Sequence, residues 1–129
     1  MKNSFKLRPN ILYSLGFAIR GIAFSIYSQR NMLIHLIIGI IAIGLGLFFK
    51  ISQVEWLCLI LTITLVLISE LINTSIEITV DLFTRKRKFR AMLSKDIAAG
   101  AVLISVINAA VVGYLLFFDR FVNLISGGN

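Results

Sequence analysis

The sequence predicts an all-α membrane protein: an N-terminal amphipathic interfacial helix followed by three transmembrane helices per protomer. Three observations carry this. The 129-residue chain is 58% hydrophobic with a mean hydropathy of +0.93, and 15% of its residues are charged, too little polar surface for a soluble domain of that size. Three apolar runs, near 32–49, 54–72 and 98–118, are long enough to cross the hydrocarbon core at about 1.5 Å per residue. Lys and Arg gather on alternate sides of those runs. The length suits a single domain, 1–129.

Residues 1–10 carry Lys2, Lys6, Arg8 and Pro9 and read as a basic arm near a membrane surface. No apolar stretch follows at once and no small-x-small cleavage pattern is seen, so no signal peptide is expected. Residues 11–29 repeat Ile11, Leu15, Ile19, Ile22 and Ile26 at helical spacing but are broken by Ser14, Arg20, Ser25 and Gln29, the pattern of a helix lying in the interface. Arg20 can snorkel to head groups, and Phe17, Phe24 and Tyr27 are expected against acyl chains. The first span, 32–49, carries Gly39, Gly44 and Gly46 as points of close helix approach. Gly44-Leu45-Gly46 is no nucleotide loop, because no strand precedes it and no Lys-Ser/Thr follows.

A turn at 50–55 leads to Trp56, placed as an aromatic-belt residue. The second span continues beyond the membrane, so its helix is expected over 54–83. Residues 84–95 form a basic loop with Arg85, Lys86, Arg87, Lys88, Arg90 and Lys95. The third span is 98–118 and the tail 119–129. Cys58, the single cysteine, allows no intramolecular disulfide and is expected as a small core residue. Asn108, mid-span, is expected to bond a neighbouring helix. The Lys and Arg distribution puts the N-terminus and the 84–95 loop in the cytoplasm and the C-terminus outside. The net charge of +7 then reflects orientation and contact with anionic lipid or nucleotide. With basic residues scattered between spans and no reader motif, nucleic acid is not an expected partner.

The chemistry concentrates in residues 70–81. Glu70, Asn73, Glu77 and Asp81 fall within a helical stripe roughly 80° wide. Stacked carboxylates repel, and ionisable groups near membrane depth are costly, so the stripe marks a site rather than packing. In this orientation Glu70 lies just inside the inner interface, with Glu77 and Asp81 nearer the cytosol. A carboxylate at the lipid boundary can meet a bilayer hydroxyl, and another further out can help hold Mg²⁺, which uses one or two protein carboxylates plus phosphate oxygens. Phosphoryl transfer asks for charge neutralisation, in-line positioning and a base. Lys95 would contact phosphates as a point charge, and Asp96 would cap the third helix or join the metal site. The bland reading pairs the stripe with Arg85, Lys86 and Lys95. It accounts for Asp81 but not for Glu70, at whose depth no basic partner is expected. His35 reads as a hydrogen-bonded interfacial residue rather than a metal ligand.

The combined pattern, Glu70-x-x-Asn73-Thr74-x-x-Glu77-x-x-x-Asp81 and then Lys95-Asp96-x-Ala98-Ala99-x-Ala101-Val102, resembles the small integral-membrane bacterial diacylglycerol kinase family, which includes the undecaprenol kinases. Arg20-Gly21 and Gln29-Arg30-Asn31-x-x-x-His35 resemble its N-terminal pattern, and the likeness covers about residues 10–118. The resemblance implies a kinase of the bacterial inner membrane. It would use ATP and Mg²⁺ to phosphorylate diacylglycerol, giving phosphatidic acid, or undecaprenol. It also implies a homotrimer with sites shared between subunits, in keeping with the difficulty of enclosing a cavity with three short spans. By position, Glu70 matches the general base and Glu77 a metal ligand. Asn73, Lys95 and Asp96 match residues around the base and the phosphates, and Asp81 a further acidic residue of the motif.

Two departures stand out. Gln29 occupies the place of a Glu that is the family's second metal ligand, so Mg²⁺ would be held here by Glu77 and an amide carbonyl, with weaker affinity expected. Arg85-Lys86-Arg87-Lys88 replaces a Glu-x-His-type sequence, and grips phosphates or simply makes a positive-inside loop. Two other functions use the same residues: an oligomeric cation-binding or ion-pathway protein, and a weakened kinase relative acting as a lipid-binding regulator.

Overall fold

The computed structural model describes residues 11–84 and 88–127. The basic arm and Arg85, Lys86 and Arg87 lie outside the described residues. Among those described there are four helices: α1 (Ile11–Ser28), α2 (Arg30–Phe48), α3 (Gln53–Phe83) and α4 (Phe89–Ile125). All four are long and apolar enough to cross a membrane. The chain is thus an all-helical membrane protein with a fourth helix, α1, of span length in addition to the three expected. Only Ser25 of α1 is buried, and Phe17, Phe24 and Tyr27 are all exposed.

The α2–α3 hairpin sets the register of everything that follows. It turns in four residues, and the turn is a Schellman motif. Ile51 N–H donates to the Gly46 carbonyl at 3.1 Å and Lys50 N–H to that of Leu47 at 3.3 Å. Lys50 takes the left-handed conformation, φ 50°, that the motif usually reserves for glycine. Ser52 then starts α3 with a capping box: its hydroxyl accepts from Glu55 N–H at 3.4 Å and Glu55 accepts from Ser52 N–H at 2.7 Å. Two glycines let the helices close. A Cβ on Gly46 would sit 2.9 Å from the Trp56 ring, and one on Gly39 would sit 3.1 Å from Ile63. Gly44, expected to share this role, has open space where a Cβ would go, because it is turned away from α3.

α4 is longer at both ends than the expected 98–118 span. Residues 89–95, expected as loop, form its first two turns. Phe-Arg-Ala-Met-Leu-Ser-Lys is rich in good helix formers, and its basic charge disguised that. At the far end Arg120 pins the extension, expected as tail, by reaching Glu55 at 2.8 Å and 3.1 Å and by donating to the Leu116 carbonyl. Ile51, Leu59, Leu116 and Phe117 form the apolar cluster there, with Phe49 ringed by Phe117 and Phe121.

One further expectation is corrected. Cys58 is exposed on the outer face of α3, one position before the buried Leu59, and is not a core residue. The side chain of Asn108 is exposed, on a face of α4 that no other helix of the same chain covers, and has no hydrogen-bond partner among the described residues.

Candidate active site

The buried interior is unusually polar: Ser25, Thr62, Glu70, Asn73, Thr74 and Ser105 are buried, while most large aliphatic side chains face outward. A membrane permits this inversion, since lipid covers the apolar exterior. Thr74 and Ser105 stay compatible with helix by returning their hydroxyls to backbone carbonyls of the preceding turn, Thr74 to Glu70 at 2.9 Å and Ser105 to Val102 at 2.7 Å.

Glu70 is 2% exposed and is the most enclosed large side chain of the molecule. The stripe holds its helical phase through α3. The antiparallel hairpin brings α2 residues to it in reverse order: Gly46 meets Trp56, Gly39 meets Ile63, His35 meets Glu70 and Gln29 meets Glu77. His35 Nε2 lies 3.3 Å from Glu70 Oε1. The contact lacks hydrogen-bond alignment, and Oε1 has no other hydrogen-bond partner. The expectation that no basic residue shares Glu70's depth is therefore wrong. Equal counting from the 49–52 turn would set Asn31, one turn away, opposite Glu70, so only the packed helices reveal His35 as the neighbour.

One turn along, Asn73 Nδ2 donates to Glu77 Oε1 at 3.1 Å, and Gln29 Nε2 lies 3.5 Å from Glu77 Oε2. Asn73 Oδ1 is buried with no hydrogen-bond partner. Gln29 is the single extended residue between α1 and α2, with φ −114° and ψ 112°, and its side chain caps nothing. It is aimed at the stripe instead.

Further out the chemistry changes. Asp81 and Lys95 form an ion pair at 2.6 Å, both partly exposed, and link the C-terminal turns of α3 to the first turns of α4. Asp96 is exposed and makes no hydrogen bond or ion pair among the described residues. The site thus has two parts: an enclosed group of His35, Glu70, Asn73, Glu77 and Gln29, and an open Asp81–Lys95 pair. Asp96 belongs to neither by contact.

The enclosed part can be tested as a holder of Mg²⁺. No three His, Cys, Asp or Glu side chains converge among the described residues, so a cage closed by protein ligands alone is not built. What is present is one carboxylate, Glu77, between two amides, with an unsatisfied buried oxygen beside it. Both amides turn N–H toward Glu77 here; with their carbonyl oxygens turned inward the set would be all oxygen and would suit a hard cation that keeps positions for phosphate and water. The donors fit.

Beyond this group lies an apolar groove of about 560 Å³ between α2, α3 and α4. His35 lies at one end, Phe121 at the other, and Val66, Val106 and Phe117 along the wall.

The chain is similar to known proteins over most of its length. The family model described as prokaryotic diacylglycerol kinase matches residues 16–117. A diacylglycerol kinase of Synechocystis sp. is 36% identical over 124 residues, covering 95% of this chain and 71% of the relative. An undecaprenol kinase of Bacillus subtilis is 35% identical over 101 residues, covering 78% of this chain and 82% of the relative. A match across the stripe, the hairpin and both flanking helices leaves one conclusion: the chain belongs to the prokaryotic diacylglycerol kinase family and is a lipid kinase.

Proposed function

We propose that the protein transfers the γ-phosphoryl group of ATP to the hydroxyl of diacylglycerol or undecaprenol, with Glu70 as general base. The observation that carries the reading is a carboxylate 2% exposed, next to the His35 that lines one end of an apolar groove, with Glu77 and the Asp81–Lys95 pair two to three turns further along α3. The bilayer supplies the acceptor. Its chain lies along the groove and its hydroxyl reaches Glu70, which takes the proton as the oxygen attacks phosphorus. The Pγ–O bond to ADP breaks as the new one forms. Asn73 fixes Glu77 through its amide, and Lys95, held by Asp81, meets the phosphates. Glu77 and the Gln29 carbonyl would hold Mg²⁺, which when bound neutralises charge on the phosphate oxygens.

We infer an inner-membrane enzyme with its Arg30 and Phe83 helix ends in the cytoplasm, as the Lys and Arg distribution suggests, and α1 lying along the interface. The exposed amide of Asn108, at mid-helix in lipid, supports assembly into a homotrimer that would give it a partner.

The test is radiolabelled ATP with diacylglycerol or undecaprenol in mixed micelles containing Mg²⁺. Wild-type protein is expected to label at least one lipid, and Glu70→Gln to lose about 10²-fold or more of that rate. Undiminished labelling by Glu70→Gln removes Glu70 as base.

A further inference from the structure

We propose that His35 is a positioning residue for Glu70: its imidazole holds the carboxyl charged and aimed at the acceptor hydroxyl. The proposal rests on Glu70 acting as the base.

The argument begins with what Glu70 lacks. A carboxylate taken out of water is costly unless a charge or donors replace its hydration. Glu70 is 2% exposed, and its Oε1 has no aligned hydrogen-bond donor. The other charge facing it is Glu77 on the same helix, which adds to the cost of a second negative charge. The charged groups contributed nearby by α4, Lys95 and Asp96, are engaged with Asp81 or exposed. α1 contributes only the uncharged Ser25 to the buried interior. Among the described residues, the group placed to bring positive charge or an N–H to Glu70 is His35, with Nε2 3.3 Å from Oε1.

His35 is also placed to respond to the acceptor. Its side chain is 18% exposed and lines the end of the apolar groove. A lipid entering there excludes water from both residues, and the remaining imidazole–carboxylate attraction strengthens as the local dielectric falls. Small movement turns the 3.3 Å approach into an aligned hydrogen bond, since contacts of a reacting site tighten when substrate arrives. In the protonated form Nε2–H brings a full opposite charge, and in the neutral Nε2–H tautomer it still donates.

The sign of the pH effect follows. A base works deprotonated, so its rate falls as pH drops through its titration. Removing the partner that favours the carboxylate moves that acid limb to higher pH.

The experiment uses the full-length protein in mixed micelles with Mg²⁺-ATP and diacylglycerol or undecaprenol, whichever is phosphorylated. His35→Ala, His35→Gln and Glu70→Gln are compared with wild type. His35→Ala is expected to displace the acid limb of kcat upward by about one pH unit, a tenfold change in proton affinity, while KM for ATP stays within about twofold. His35→Gln retains a donor without the charge. It is expected to recover the alkaline plateau of kcat and leave the limb displaced. Infrared spectra of ¹³C-Glu-labelled protein, with Glu70→Gln identifying the band, report the carboxyl directly. The pH at which the protonated band gives way to the ionised one should rise by about one unit from wild type to His35→Ala.

An unchanged limb together with an unchanged band midpoint in both His35 variants overturns the proposal, even if the plateau falls, since a lower plateau alone marks only packing. If His35→Ala does not fold, the limb and band of His35→Gln decide. Full activity in Glu70→Gln would instead remove the general-base reading, while the infrared comparison still tests whether His35 holds the carboxyl charged.

Discussion

At Gln29 the sequence puts an amide where the family resemblance leads one to expect a carboxylate, and the structure aims that amide at Glu77. Gln29→Glu is therefore expected to tighten Mg²⁺ by roughly tenfold, equivalent to about 1.4 kcal/mol. The readout is the Mg²⁺ concentration giving half-maximal phosphorylation. The same variant places two carboxylates side by side, so in EDTA it should unfold at lower temperature than wild type. Lys95 gives a contrasting case. Its pair with Asp81 is partly exposed, and pairs of that kind contribute about 0–1 kcal/mol. Lys95→Met should hardly change thermal stability yet raise KM for ATP several-fold. A large loss of stability with unchanged KM would make the pair a strut and leave the phosphates to other groups. Residue types and spacing were enough to single out Glu70, Asn73, Glu77 and Asp81. They read His35 as a hydrogen-bonded interfacial residue but named no partner for it, because a lone histidine near a span end has no partner until a second helix brings it to a carboxylate.

Among the elements, the α2–α3 hairpin decides the site, because its turn fixes which α2 residue faces which α3 residue. Gly46 is the tightest point of that contact. Gly46→Leu should destabilise the protein by about 1–3 kcal/mol through overpacking against Trp56 and Ile51, seen as a lowered unfolding midpoint in detergent. Gly44→Leu, facing open space, should leave the midpoint nearly unchanged. The two glycines are indistinguishable in the sequence, where both sit in one apolar run. Only the helix phase relative to α3 separates them. Helix α4 shows the reverse problem. Its first turns were taken for loop because basic charge was read ahead of helix propensity, and its last turns because Asp119 and Arg120 looked like the end of a span. The Glu55–Arg120 pair that carries the helix onward joins residues 65 apart in sequence, which local patterns cannot reveal.

At the scale of the whole molecule, apolar side chains cover the outside, while the described interior mixes an apolar cluster with buried polar groups. Hydropathy made the membrane class legible, but the sequence predicts three spans, whereas α1 too is long and apolar enough to cross. Composition cannot distinguish a helix that crosses from one that lies flat. The proposed trimer predicts that native mass spectrometry in detergent will find three copies, and that Asn108→Leu will shift the population toward smaller species. If sites are shared between copies, co-assembling Glu70→Gln with Lys95→Met should restore part of the low KM for ATP that Lys95→Met alone has lost. One junction has a consequence for how such chains diversify. Gln29 alone separates α1 from α2, so there is no slack between them. Adding or deleting a residue inside either adjoining turn would spin the preceding helix by about 100°, presenting the wrong side of α1 to the fat and swinging position 29 off its carboxylate. Length changes should therefore accumulate before residue 11 and beyond 125, and be purged from this joint.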